Sequence, residues 1–414
     1  MSGPTPLAER LEVVDILRGV AIFGILLVNM ELFSTPIYQT GIASRLWPGW
    51  ADRTVDWLIR FLAEGKFYTM FSFLFGFGLA MLMERARARG APFVPLYVRR
   101  LLVLLLIGAA HALLLWIGDI LVTYAVLGFI LLLFRHRTPK TLVIAAGLCL
   151  ALAIVINAAP AALDLYGERT AGAANRAEPA ASDATLEWLA QQATRAYTQG
   201  SFAEIVQQRI RDLRFLYAFE ILVVFGVLTM FLLGLYAGRR GVFRDVAAHR
   251  SLLLGALWWG GGIGLAGSLA FALTATRESP LADLVGAIGF EIGAPALSIA
   301  YMSGLTLLAQ QGVWRARLAP LAAVGRTALS NYLLQSLICT TIFYGYGLGL
   351  FGKVGPAAGA VLAVGIYVLQ VPLSLWWLRR FRFGPIEWVW RSLTYLRVQP
   401  MRTATHQPSA QARN

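Results

Sequence analysis

Six residues in this chain carry chemistry that an apolar helix has little reason to hold. Asn29, Glu31, His111, Asp119, Glu220 and Glu291 all lie in or beside long apolar runs. An ionisable group at membrane depth is expensive, so each is a candidate for a proton, a substrate or a specific partner. His111 has the side chain whose ordinary pKa lies nearest neutrality, and a carboxylate can orient it, which suits general acid–base work. His111 and Asp119 stand eight residues apart across a short connection, within reach of each other. Glu220 and Glu291 have no Lys or Arg within one turn and need a partner from another helix, a proton or water. Structural roles compete with these. Asp119 would cap the helix that follows it, His111 would tie two helices together, and Glu31 would reach interfacial water.

A second set enters from the other side. Asp15 and Arg18 are three residues apart, hence on one helical face, and Arg99, Arg100, Arg326 and Asn331 come in from the same end. These residues read either as snorkelling side chains that fix topology or as an anion pocket for a phosphorylated donor. No metal-ligand spacing is present, since His136, His249 and His406 fall in loops or the tail. No phosphate-binding loop, dinucleotide glycine fingerprint or nucleophile elbow appears either. The run Gly260-Gly261-Gly262 lies inside an apolar segment and suits close helix packing.

The elements that must position these side chains are membrane helices. The 414 residues are 58% hydrophobic and 14% charged, where a soluble domain carries about 25% charged residues. Mean hydropathy is +0.64. Ten apolar segments are predicted, at about 14–34, 67–83, 98–117, 119–134, 141–159, 215–238, 251–273, 283–308, 328–350 and 357–378. The fold class is therefore all-α, a polytopic bundle in contact with membrane lipids. An amphipathic interfacial helix is expected over 52–66. The third and fourth segments should form a tight hairpin through Gly118-Asp119. Cys149 and Cys339 fall inside spans, so no disulfide framework is implied. No cleavable signal is read at the N-terminus, where Glu9, Glu12 and Asp15 spoil a basic region.

A net charge of +14 does not point to nucleic acid, because the positive residues are scattered in short clusters between segments. With the N-terminus inside, 24 of the 36 Lys and Arg fall on the cytoplasmic side. Both termini are then cytoplasmic, and the six polar residues of the first set map to the outer half of the bilayer, as if around one polar cavity. The chain divides into an N-terminal membrane half (1–159), a periplasmic loop (160–214), a C-terminal membrane half (215–398) and a disordered tail (399–414). Within the loop, 167–183 reads as a mobile linker and 186–211 as one amphipathic helix that would cap the outer end.

The stretch Asp15-Ile16-Leu17-Arg18-Gly19 through Leu27-Val28-Asn29 resembles the opening signature of the bacterial YeiB family. So do Glu64-Gly65-Lys66-Phe67, and His111 with Trp116-Ile117-Gly118-Asp119. Gly325-Arg326-Thr327 through Asn331-Tyr332-Leu333-Leu334-Gln335-Ser336, and Gly384-Pro385-Ile386-Glu387-Trp388, resemble the domain of unknown function 418. These ordered blocks span 10–395. The family is in turn distantly similar to transmembrane acyltransferases such as heparan-α-glucosaminide N-acetyltransferase, which moves acetyl groups from cytoplasmic acetyl-CoA to a luminal sugar amine. That resemblance implies a site role for Asn29. The position matching that enzyme's active His holds Thr40, so His111 would have to take its part.

Three classes follow. One is an inner-membrane acyltransferase that takes an acyl-CoA-like donor at Arg18, Arg99, Arg100 and Arg326 and passes the acyl group to a periplasmic or lipid-linked acceptor. There His111, with Asp119 or Glu220, would act as base, and Asn29 would hold the oxyanion. The second is a transporter or exporter with His111, Glu220 and Glu291 as a proton relay. The third is a structural or assembly role. Oligomeric state is left open, a homodimer among the options.

Overall fold

A computed structural model describes residues 11–41, 46–171 and 180–402, apart from the side chains of 169, 171, 180–183 and 219–222. Its helices are α1 (Glu12–Ser34), a 3₁₀ turn (Ile37–Gln39), α2 (Trp50–Leu62), α3 (Lys66–Ala88), α4 (Phe93–Leu114), α5 (Leu121–Leu132) and α6 (Pro139–Ala171). There follow α7 (Ala180–Gln199), α8 (Phe202–Arg240), α9 (Arg250–Thr274), α10 (Pro280–Leu308), α11 (Gly312–Arg326), α12 (Ala328–Phe343), α13 (Pro356–Arg380) and α14 (Pro385–Tyr395). Among the described residues, eight apolar segments are long enough to cross a membrane. Two shorter apolar helices, α5 and α12, stand where the hydropathy pattern predicts two further segments. The fold is an all-α polytopic bundle.

Large apolar side chains stay exposed on the outward faces, among them Leu106 on α4, Ile144 on α6, Trp258 and Trp259 on α9, and Leu369 on α13. Exposed apolar surface on this scale suits hydrocarbon as the solvent. Inside, α1 runs through the middle and packs against α3, α11, α12 and α13. Glycine brings α11 onto it. A Cβ on Gly19 would stand 2.2 Å from the Leu321 carbonyl oxygen, and one on Gly325 would stand 1.8 Å from that of Asp15. The α9–α10 pair is also backbone-close. Of the triple glycine only Gly260 faces α10, and Gly264 and Gly267 continue its stripe one and two turns on.

Several boundaries differ from the expected ones, each for a local reason. The third and fourth segments are separated by residues 115–120, so the hairpin has a real connection, and it carries Trp116 and Asp119. The predicted helix over 186–211 is broken at Gly200. Ser201 accepts from the Glu204 amide while the Glu204 carboxylate accepts from Ser201, a capping box that starts α8 afresh. The preceding α7 folds back with Ala193 and Tyr197 buried, covering one end of the bundle. Of the expected linker 167–183, α6 takes the first residues through Ala171, and 172–179 lie outside the described residues. Residues 1–10 and the tail from 403 also lie outside them. Cys149 and Cys339 are free thiols.

Candidate functional site

The last turn of α4, the connection after it and the middle of α12 meet in a buried hydrogen-bonded chain. His111 Nδ1 lies 2.7 Å from Asp119 Oδ1, and His111 Nε2 lies 2.9 Å from Ser336 Oγ. The second carboxylate oxygen, Oδ2, accepts the Val122 amide at 2.8 Å. Asp119 thus caps the start of α5 and holds the imidazole at once; the two roles read from the sequence coexist. A carboxylate only accepts, so the ring proton sits on Nδ1, and Nε2 is left to accept from the serine hydroxyl. Both the His111 and Asp119 side chains are almost wholly removed from solvent, at 1% and 0% exposure. This carboxylate–imidazole–hydroxyl order is the one that activates a hydroxyl as a nucleophile.

Ser336 is fixed by the way α12 is held. The Glu387 carboxylate, at the start of α14, accepts the amides of Leu329 (2.7 Å) and Ser330 (3.1 Å) and the Ser330 hydroxyl. A carboxylate at a helix N-terminus satisfies donors that the helix itself cannot. Burial raises the Glu387 pKa, while these hydrogen bonds work in the other direction. Asn331 Nδ2 donates to Thr327 Oγ1 (2.9 Å) and Ser374 Oγ (3.0 Å), and Gln335 Nε2 to Gln370 Oε1 (2.7 Å). Asn331 therefore locks α12 to α13 and does not line the anion pocket.

An elongated cavity of about 270 Å³ runs beside this chain of bonds. Along α1 it is lined by Leu11, Asp15, Arg18, Ile22 and Ile25, a stripe roughly 21 Å long at helical rise. One end is charged, with Arg18, Arg85, Arg100, Arg326 and Arg391, and the other is apolar and aromatic, with Ile25, Phe71, Phe75, Tyr124 and Tyr332. Arg18 donates to Asp15 at 3.1 Å yet leaves 32% of its side chain exposed. The Arg100 guanidinium lies 3.7 Å over the Trp390 ring. Nε of Arg326 is buried without a hydrogen-bond partner, as is that of Arg99, which stands outside the lining. At the apolar end Tyr332 separates cavity from relay. Its ring centroid is 5.0 Å from that of His111, and its hydroxyl donates to the Gly118 carbonyl at 2.8 Å.

Of the remaining members of the first set, Asn29, Glu31 and Glu291 stand apart from this relay. Asn29 is half-buried on α1 and neither bonds to the relay nor lines the cavity. Glu291 is buried on α10 beside Gly226 of α8, and Glu31 accepts the Gly41 amide at 2.8 Å. The backbone of Glu220 belongs to α8, but its side chain lies outside the described residues. Thr40 Oγ1 donates to the Ile37 carbonyl. Asn29 and Glu291 thus do not share a lined cavity with His111, which instead forms a relay with Asp119 and Ser336.

Ser336 and Tyr332 are the residues that sequence reasoning passed over. Their signal was a recurrence of polar side chains, Asn331, Gln335, Ser336 and Thr340, on one face region of an otherwise apolar helix. A second buried network was also missed. Asp212 on α8 accepts from Tyr38 (2.9 Å), Tyr197 (2.5 Å) and Gln208 (2.8 Å). Burial raises its pKa against the pull of those three donors.

Eight helices long and apolar enough to cross a membrane among the described residues, an amphipathic cavity and a buried polar relay define a polytopic membrane protein with an internal site. The sequence profile described as "Protein of unknown function (DUF418)" matches residues 237–397. Over nearly its full length the chain is 40% identical to the uncharacterized protein YxaH of Bacillus subtilis, covering 97% of this chain and 98% of that one. It is 32% identical to the uncharacterized protein YeiB of Escherichia coli, covering 95% and 98%. An uncharacterized 39.9 kDa protein from the amylase 3' region of Bacillus acidopullulyticus is 28% identical over 96% and 97%. The chain belongs to the DUF418 family, together with YeiB. Ser336 and Glu387 fall within the matched region, and His111 and Asp119 come from the half before it.

Proposed function

We propose that this protein is an inner-membrane acyltransferase with both termini in the cytoplasm, taking the acyl group from an acyl-CoA-like donor. The observation that carries this reading is the polarity of the cavity. Guanidinium groups at one end suit the phosphates of the donor, and the apolar end, which stops at Tyr332 against His111, suits the pantetheine arm with the thioester at its tip. The charge distribution favours a cytoplasmic position for the arginine-rich end, on the side where acyl-CoA is found. His111, held in one tautomer by Asp119, serves as the base. The acceptor is a hydroxyl or amine of a periplasmic or lipid-linked molecule. A proton-coupled transporter would need His111 and Glu291 in one relay. The bonding of His111 to Asp119 and Ser336 instead favours acyl transfer.

Membrane vesicles of defined orientation test donor, side and turnover together. Everted vesicles containing the protein should release free CoA thiol from palmitoyl-CoA faster than vesicles lacking it, and right-side-out vesicles should not. Release only from right-side-out vesicles would overturn the orientation. No release from either would overturn acyl transfer from a CoA thioester.

A further inference from the structure

We infer that Ser336 is the residue that carries the acyl group, so that transfer proceeds through a serine ester on α12. This rests on the acyl-transfer reading and adds a covalent intermediate to it. Ser336 Oγ is the atom bonded to His111 Nε2, the nitrogen left to accept a proton, while Asp119 holds the opposite nitrogen. A hydroxyl used only to tie α12 to α4 would need no particular tautomer and no carboxylate behind the ring. Its other contact, to the Tyr332 carbonyl, is longer at 3.3 Å. The Trp116 indole N–H is wholly buried with no hydrogen-bond partner, and its ring centroid is 6.2 Å from that of His111. An unmet donor in a dry site is costly, and a substrate oxygen would complete it.

The steps balance without any further reagent. In the first, Ser336 Oγ adds to the thioester carbonyl and its proton passes to His111 Nε2. The carbon–sulfur bond then breaks, and His111 returns that proton to the departing thiolate, leaving free thiol and an acyl ester on Ser336. In the second, the acceptor hydroxyl or amine adds to the ester carbonyl and gives its proton to His111. The ester carbon–oxygen bond breaks, and Ser336 Oγ takes the proton back. Tyr332 lines the cavity and Ser336, one turn further along α12, does not, so the transfer requires the Tyr332 side chain to swing away from Gly118.

Two probes test the ester on the detergent-purified full chain, read by intact mass and peptide mapping. A long-alkyl fluorophosphonate should phosphonylate Ser336, and palmitoyl-CoA should leave a hydroxylamine-labile palmitoyl adduct at the same residue. Ser336→Ala should abolish both, and His111→Gln should slow both at least ~10²-fold. Ser336→Cys, with a packing volume close to that of serine, should still take the palmitoyl group, now as a thioester. Matching thermal unfolding of wild type and variants shows that each is folded. Thiol release by wild type with neither probe on Ser336, or undiminished release by Ser336→Ala, would overturn the intermediate and leave direct transfer by His111. Absence of both adducts and thiol release would overturn the acyl-transfer reading with it.

Discussion

Two buried aspartates in this bundle have their carboxylates fully bonded, yet only one of them holds an imidazole. Asp119 holds an imidazole and a helix amide, and the imidazole in turn holds a hydroxyl. Asp212 holds two phenols and a primary amide. Burial first, and then the neighbouring carboxylate, pushes the Tyr38 phenol above its ordinary range, and the same causes act on Tyr197. None of the partners of Asp212 can take a proton near neutrality, so its network pins the 3₁₀ turn and α7 to α8 and does nothing else. Satisfaction of hydrogen bonds measures how well a polar cluster is tolerated. Its chemistry depends on what the partners can exchange and on whether a cavity reaches them.

The largest expected contrast is between His111→Gln and Asp212→Asn. The first keeps a hydrogen-bonding side chain of similar reach and should lower thiol release from palmitoyl-CoA by ~10²–10⁴-fold, with unfolding temperature little changed. The second should cost about 1–3 kcal/mol of stability through mispaired donors while activity per folded molecule stays near wild type. An active His111→Gln, or an inactive but stable Asp212→Asn, would erase the distinction between the two clusters.

A smaller effect is expected at the charged end of the cavity. Arg18→Ala removes a guanidinium and frees Asp15, and should raise the KM for palmitoyl-CoA roughly tenfold, the equivalent of one charged hydrogen bond, with kcat spared. A change confined to kcat would mean that Arg18 acts on the relay and not on the donor.

The smallest effect is a pH dependence. The pKa of Asp212 is raised in the folded chain above its value when unfolded, so the native state keeps the proton to higher pH than the unfolded chain does. Its contribution is fully present below about pH 3.9, the unfolded value, and is lost as pH rises through the folded pKa. The stability of wild type relative to Asp212→Asn should therefore fall as pH rises from about 4, by at most about 1.4 kcal/mol per pH unit. Thermal unfolding of both proteins across that range reads it, and a constant difference would place the Asp212 pKa at its unfolded value.

Sequence periodicity carried the membrane helices, because an apolar run long enough to cross hydrocarbon has few alternatives. It also carried the His111–Asp119 pair, since eight residues of chain cannot take them far apart. It could not carry Ser336, which lies 225 positions from His111 and meets it through tertiary packing that Glu387, Ser374 and Gln370 help to fix. Nor did hydropathy mark the break between α7 and α8, where Ser201 and Glu204 override an amphipathic pattern that continues across them. That signature was legible as a serine followed three residues later by a glutamate. The reach of Tyr38 to Asp212 follows from tertiary packing alone.

The anchoring of α12 by Glu387 also sets an order in time. A ribosome delivers α12 long before α14, so while the spans are being threaded the first amides of α12 have no carboxylate to receive them. The serine then stands on a helix whose first amides are untethered, and that end is fixed only when Pro385–Tyr395 docks. Insertion and final anchoring are thereby separated. A nascent chain stopped short of Glu387 would reach the bilayer with every crossing helix in place and the start of α12 still untethered.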